Sequence, residues 1–228
     1  MRSARIRSGS RASTHVAPEL VGAASTLIAV FAKAPQPGKV KTRLAAKIGT
    51  LGAARLHARL IERTLATALE AGCGEVELHG SPSGHSVLRA LANSRGVALI
   101  SQSEGDIGER MHEAFRRGLR GHSRMILVGS DCPALKVADV RRAARLLRGC
   151  DAVLAPAEDG GYPLIGLSRL SPKLFDGIEW SSASVMAGTR ERLAALGWRW
   201  RELRTLWDID RPADLDRLRT SRLLERRP

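Results

Sequence analysis

Four stretches of this 228-residue chain carry charged side chains in patterns that could do chemistry, three of them with glycine or proline among them. The first is F-A-K-A-P-Q-P-G-K-V-K-T-R-L, residues 31–44. Gly38 lets a backbone approach a phosphate, and Lys39, Lys41 and Arg43 carry the charge to neutralise it. The three cations alternate along the chain, so in an extended loop they project to one side and form a phosphate cradle. An exposed loop lysine in such a cradle contributes little to folding. The stretch is neither a Walker A loop nor a G-x-G-x-x-G fingerprint. The second, G-S-D-C-P, is residues 129–133. It places Asp131 at the end of an apolar run, where a carboxylate suits magnesium, a hard cation that takes one or two carboxylates plus phosphates. Cys132 has no histidine in its motif to activate it and reads as packing. The third, W-D-I-D, is residues 207–210. In an extended segment Asp208 and Asp210 point the same way, and two like charges repel unless a cation joins them. The other reading is that one of them caps a helix opening at Pro212. The fourth, P-A-E-D-G-G-Y-P-L-I-G-L, is residues 156–167 and sets Asp159 beside two glycines that permit close ligand approach or a tight turn.

The elements that position these residues follow from the pattern. T-L-I-A-V-F predicts a buried strand over Ser25–Lys33. Leu56, Leu60, Ile61, Leu65, Ala68 and Leu69 share one face of a helix running from about Gly49 to Glu70. Further strands are expected at Glu75–His79, Val97–Ile100, Met125–Val128, Ala152–Ala155 and Leu164–Leu167. Helices are expected over Val87–Asn93, through Ile107, Met111, Phe115 and Leu119, through Val140 to Leu147, over Ser184–Leu196, and from Pro212 onward. Strands alternating with helices predict a mostly parallel sheet covered on both faces, which binds ligands at the carboxyl ends of its strands. The lysine loop, Asp131 and the pair Asp208 and Asp210 all fall at such ends.

Composition narrows the class. Hydrophobic residues make up 43%, too many for a disordered chain. No apolar run approaches a membrane span, so none is expected. Three cysteines in no paired spacing fit a reduced, cytoplasmic setting, and six scattered histidines match no zinc pattern. The net charge of +14 raises nucleic acid as a partner. Half of that excess lies in the first 25 and last 12 residues, and aromatics are only 4%, so nucleic acid is disfavoured. Residues 1–24 and 219–228 read as basic tails around one domain, 25–218. The basic start followed by Leu20–Ala32 imitates a signal peptide, but cleavage after Ala32-Lys33-Ala34 would sever the lysine loop, so a disordered tail before a buried strand is the expectation. Arginine outnumbers lysine 31 to 6, yet Lys33, Lys39, Lys41 and Lys47 fall together, where a compact ammonium suits phosphate.

As an ordered set the motifs F-A-K-A-P-x-P-G-K-x-K-T-R-L, D-I-G-E-R-M, G-S-D-C-P-A-L, E-D-G-G-Y-x-L-I-G-L and D-I-D-R-P-A-D-L are recognisable. The chain resembles the small bacterial glycosyltransferase-A-like family of nucleotide-diphospho-sugar transferases. Some members are called arsenosugar-biosynthesis glycosyltransferases, and 2-phospholactate and molybdopterin guanylyltransferases are relatives. The resemblance implies an α/β, Rossmann-like, three-layer sandwich. It implies nucleotide binding by Lys33, Gly38, Lys39, Lys41, Arg43 and Arg110, and Mg2+ or Mn2+ on Asp131, Asp208 and Asp210. It implies acceptor contacts by Asp159, Gly160, Gly161 and Tyr162, with Asp159 and Lys41 as the catalytic candidates. Pro163 departs from the family, which often has an aromatic there, and removes a backbone donor.

The expected activity is metal-dependent transfer from a nucleotide or nucleotide-sugar donor to a small-molecule acceptor. Sugar transfer to a hydroxyl needs a base, for which Asp159 is the candidate. The alternative is guanylyltransferase-like nucleotidyl transfer to an ionised phosphate. A non-catalytic anion or nucleic-acid binder is the third reading.

Overall fold

A computed structural model describes residues 25–221, 223 and 224. The expected N-terminal tail lies outside the described residues. The elements run β1 (Thr26–Lys33), α1 (Thr42–Ala71), β2 (Glu75–Ser81), α2 (Ser86–Arg95), β3 (Ala98–Ser101), α3 (Ile107–Gly121), β4 (Arg124–Gly129), α4 (Val137–Leu146), β5 (Ala152–Ala155), β6 (Leu164–Leu167), a short 3-10 turn (Pro172–Leu174), α5 (Val185–Ala195), β7 (Trp200–Glu202) and α6 (Pro212–Ser221). The strands form one sheet in the order β3-β2-β1-β4-β6-β5-β7.

The apolar run of β1 makes it a central strand, flanked in parallel by β2 and β4 and buried along all but its last residue. Alternation within β1 divides the core. Ile28 and Val30 join one cluster with Ile61, Leu65, Leu88, Val140 and Ala143, from α1, α2 and α4. Leu27, Ala29 and Phe31 join the opposite cluster with Met111, Phe115, Met186 and Leu193, from α3 and α5. Helices on both faces of a mostly parallel sheet make the three layers that the pattern predicts. A third cluster joins Leu44 and Leu60 of α1 to Ile209, Leu215 and Leu218, packing α6 beside α1.

Several elements add to or differ from the reading above. β6 is antiparallel to both β4 and β5. The 156–163 segment turns without a crossover helix, so the chain must return antiparallel. Helix α1 begins at Thr42, not Gly49, but Gly49 breaks it at φ 71, ψ 162. The long amphipathic face therefore starts where the pattern places it, and a short helical segment precedes it. At the other end α6 continues through Ser221, and Leu223 and Leu224 pack on the third cluster, beyond the expected boundary at 218. Among the described residues no helix is long and apolar enough to cross a membrane.

Candidate functional site

The carboxyl end of β4 is tied on both sides. Ser130 N donates to Phe31 O at 3.2 Å, Gly129 N to Pro163 O at 2.9 Å, and Ile209 N to Asp131 O at 3.0 Å. The last bond brings W-D-I-D beside Asp131. Within that segment Ile209 is buried, and Asp208 and Asp210 line a cavity that Trp207, partly packed on the core, also borders. That cavity is open, about 1110 Å3 in volume, and its lining also includes Asp131 and Asp159.

Lys41 and Arg43 line that cavity, as expected, but Lys41, Lys39 and Arg43 do not project together to one side. Lys41 is buried, in the left-handed conformation (φ 48, ψ 40), while Lys39 and Arg43 on either side are exposed. The expected alternation fails because it presumes extended backbone, and a left-handed residue reverses the chain's course. The Lys41 ammonium donates to Ile209 O at 2.6 Å and lies 3.0 Å from Asp131 Oδ1. Across the same oxygen sits His57, buried, with Nδ1 at 3.3 Å. His57 Nε2 is 2.9 Å from Lys33 O, so that nitrogen carries a proton and donates. Oδ1 of Asp131 is closed off from solvent, yet 51% of the side chain remains exposed, on the cavity. Burial works against charge on Asp131, but the Lys41 ammonium and the His57 contact outweigh it and hold the carboxyl well below its usual range.

Asp208 is shifted the other way. Burial, then the charges of Asp159 and Asp131, push it up to about 6, against weaker help from its own backbone and Lys41. Asp208 thus sits in a partly buried place beside other carboxylates. Asp210 is partnered instead, forming an ion pair with Arg43. Neither Asp208 nor Asp210 caps α6. Asp214 does so, its Oδ2 accepting from Asp210 N at 2.9 Å and Arg211 N at 2.6 Å. Among the described residues no three His, Cys, Asp or Glu side chains enclose a metal ion. The arrangement fits a cation held by one or two carboxylates that completes its shell with water and phosphate oxygens, as magnesium commonly does.

The 156–163 turn forms one rim. Asp159 Oδ1 accepts from Gly161 N at 3.0 Å, which leaves its other oxygen for a ligand. Gly160 has φ 90, and a Cβ there would meet Ala183 O at 2.1 Å, so only glycine fits. Tyr162 lines the cavity, but its hydroxyl is buried next to Thr189 without a well-formed hydrogen bond, and burial raises its pKa. The tyrosine offers a ring edge there, not a polar contact. Gly38, Lys33, Lys39 and Arg110 lie outside the residues that line the cavity. Arg110 is turned to Gln102 Oε1 at 3.2 Å and Asp106 O at 3.3 Å. Cys132 is buried, donates to Trp207 O at 3.2 Å, and is pushed up to about 12 mainly by burial, which removes it as a nucleophile.

Sequence reading missed His57, Arg211, Asp214 and the Trp180–Ala183 wall. His57 left a signal, since it falls on the buried face with Ile61, Thr64 and Ala68. Trp180 left one in Gly108, where a Cβ would lie 2.5 Å from the indole. That glycine is legible only once the partner is known.

Comparison with known proteins agrees with this fold. A family model described as "Uncharacterized protein conserved in bacteria (DUF2064)" matches residues 64–182. A search of curated proteins returned no match. Among solved structures the chain is similar to a protein of Desulfovibrio desulfuricans G20 described as a nucleotide-diphospho-sugar transferase, with 31% identity, TM-score 0.80, and 86% of this chain and 87% of that one covered. It shares its fold with a nucleotidyl transferase from Methanothermobacter thermautotroptrophicus, at 17% identity and TM-score 0.62, covering 86% and 97% of the two chains. It also shares its fold with a Mycobacterium tuberculosis H37Rv protein solved in complex with manganese, at 19% identity and TM-score 0.56, covering 87% and 100%. The chain belongs to the bacterial DUF2064 family, within the glycosyltransferase-A-like nucleotide-diphospho-sugar transferases.

Proposed function

We propose that this protein transfers a sugar from a nucleotide-diphosphate donor to a small-molecule acceptor, with Mg2+ or Mn2+. The observation that carries this reading is the set of carboxylates Asp131, Asp208 and Asp159 lining one cavity at the strand ends, where burial first and the charge of Asp159 next raise Asp208 to about 6. Asp131 and Asp208 would hold the metal, which when bound would neutralise charge on the departing diphosphate.

The charge balance of the cavity supports a diphosphate over a triphosphate. Its cations are Lys41, Arg43 and Arg211, and the first two already face Asp131 and Asp210. The lysines that would hold a longer polyphosphate, Lys33 and Lys39, lie outside it. Asp159, exposed and half-occupied by its own turn, is placed to accept the proton of an acceptor hydroxyl. Gly160 and Gly161 bring backbone close to that acceptor.

The test is a thermal-shift screen of nucleoside triphosphates and nucleotide-sugars, with and without Mg2+. A ligand at 100 times its Kd stabilises by about 2.7 kcal/mol. Metal-dependent stabilisation by a nucleotide-sugar supports the proposal. Stabilisation by triphosphates alone favours nucleotidyl transfer, and no response to either class defeats both.

A further inference from the structure

Arg211 is the cavity-lining cation that has no carboxylate partner among the described residues. Lys41 is held by Asp131 and Arg43 by Asp210. Arg211 lines the same cavity and is exposed. Its side chain enters into no ion pair, although Asp208, Asp210 and Asp214 are close in sequence. What is fixed is its backbone. Arg211 N donates to Asp214 Oδ2 at 2.6 Å, and Asp214 N donates back to Arg211 O at 2.9 Å. Pro212 follows, which restricts the preceding residue to extended conformations. The segment just before it is anchored by the burial of Ile209 and by the Lys41 bond to its carbonyl. A free guanidinium on a rigid mount, at the rim of an acidic cavity, is poorly placed to stabilise the fold. It is well placed to meet an incoming anion.

We infer that Arg211 binds the diphosphate of the donor. The inference rests on the nucleotide-donor reading above and adds the residue that grips the donor. A planar guanidinium offers two parallel N–H donors to phosphate oxygens and stays charged at any working pH. The carboxylates Asp131 and Asp208 repel a bare diphosphate, so the anion enters with its cation. Arg211 then takes oxygens that the cation does not. Arg43 can join it only by leaving Asp210, so Arg211 makes the first contact.

The test uses magnesium pyrophosphate, which carries the diphosphate without base or sugar. Calorimetry compares the full chain with Arg211→Ala, Arg211→Lys and Arg142→Ala. Arg142 is an exposed arginine of α4 outside the cavity and removes the same charge. A charge-assisted phosphate contact predicts that Arg211→Ala weakens binding by about 10-fold or more. Arg211→Lys should lose less, because it keeps the charge but not the fork, and Arg142→Ala should match wild type. Unchanged binding in Arg211→Ala overturns the inference and leaves the donor reading standing. Equal losses in Arg211→Ala and Arg142→Ala also overturn it, since only long-range charge would then be at work. Failure of the wild type itself to bind removes the donor reading and the inference together. Melting curves of each variant confirm that an exposed side chain was removed from a folded protein.

Discussion

Replacing Lys41 by methionine keeps most of the side-chain volume and removes the ammonium. Two partners are then abandoned, Asp131 Oδ1 at 3.0 Å and Ile209 O at 2.6 Å. Breaking a fully buried ion pair from one side costs about 3–5 kcal/mol. Asp131 keeps 51% of its side chain exposed, so water takes over part of the lost partner and that figure must be cut. The orphaned carbonyl adds about 1–3 kcal/mol. We expect a net loss of about 2–3 kcal/mol, which for a domain of this size lowers Tm by about 4–12 °C.

The pH dependence gives this prediction a second readout. Asp131 is held below its ordinary 3.8, so its ionised form favours the folded state. That contribution is fully present above the unfolded value and fades as pH falls below it. The difference in stability between wild type and Lys41→Met, followed by urea unfolding, should be largest at neutral pH and shrink as the pH is lowered below about 4. Lys39→Ala, an exposed neighbour, should stay within about 0.5 kcal/mol of wild type. If Lys41→Met is equally silent in stability while nucleotide binding is lost, Lys41 is a phosphate ligand after all, and the buried clip described above is wrong.

Asp208→Asn should stabilise the metal-free protein by about 1–2 kcal/mol above pH 6, because a carboxyl raised to about 6 costs folding energy once ionised. The gain should disappear toward pH 4, and the same substitution should weaken binding of Mn2+ followed by electron spin resonance. A stabilisation that does not vary with pH would refute the repulsion argument. Gly160→Ala should destabilise by about 2–4 kcal/mol in urea unfolding, since it adds a Cβ 2.1 Å from Ala183 O at φ 90. A loss below about 1 kcal/mol would show that the two loops part easily. Arg217→Ala, which breaks an exposed pair with Glu158 and leaves the Trp207 ring, should barely move the urea midpoint, and a large shift would show that the pair and the ring contact hold α6 in place.

What sequence could show here depended on whether a local rule governed the residue. The core of β1 and the ends of β5 and β6 follow from periodicity, and periodicity reads directly from residue types. The direction of β6 does not, because a four-residue apolar strand looks the same from either end. Its antiparallel course comes from the short turn before it. Lys41 was misdirected by the alternation rule. Alternation holds for extended backbone, whereas Lys41 sits at φ 48. Nothing in V-K-T-R marks a left-handed lysine, since glycine or asparagine would ordinarily occupy such a position. The conformation is stabilised from far along the chain, by Asp131 and by the carbonyl of Ile209. Under the proposed reading, a lysine committed to holding two segments together leaves the donor's negative charge to other groups, and Arg211 is the cavity cation without a carboxylate partner among the described residues.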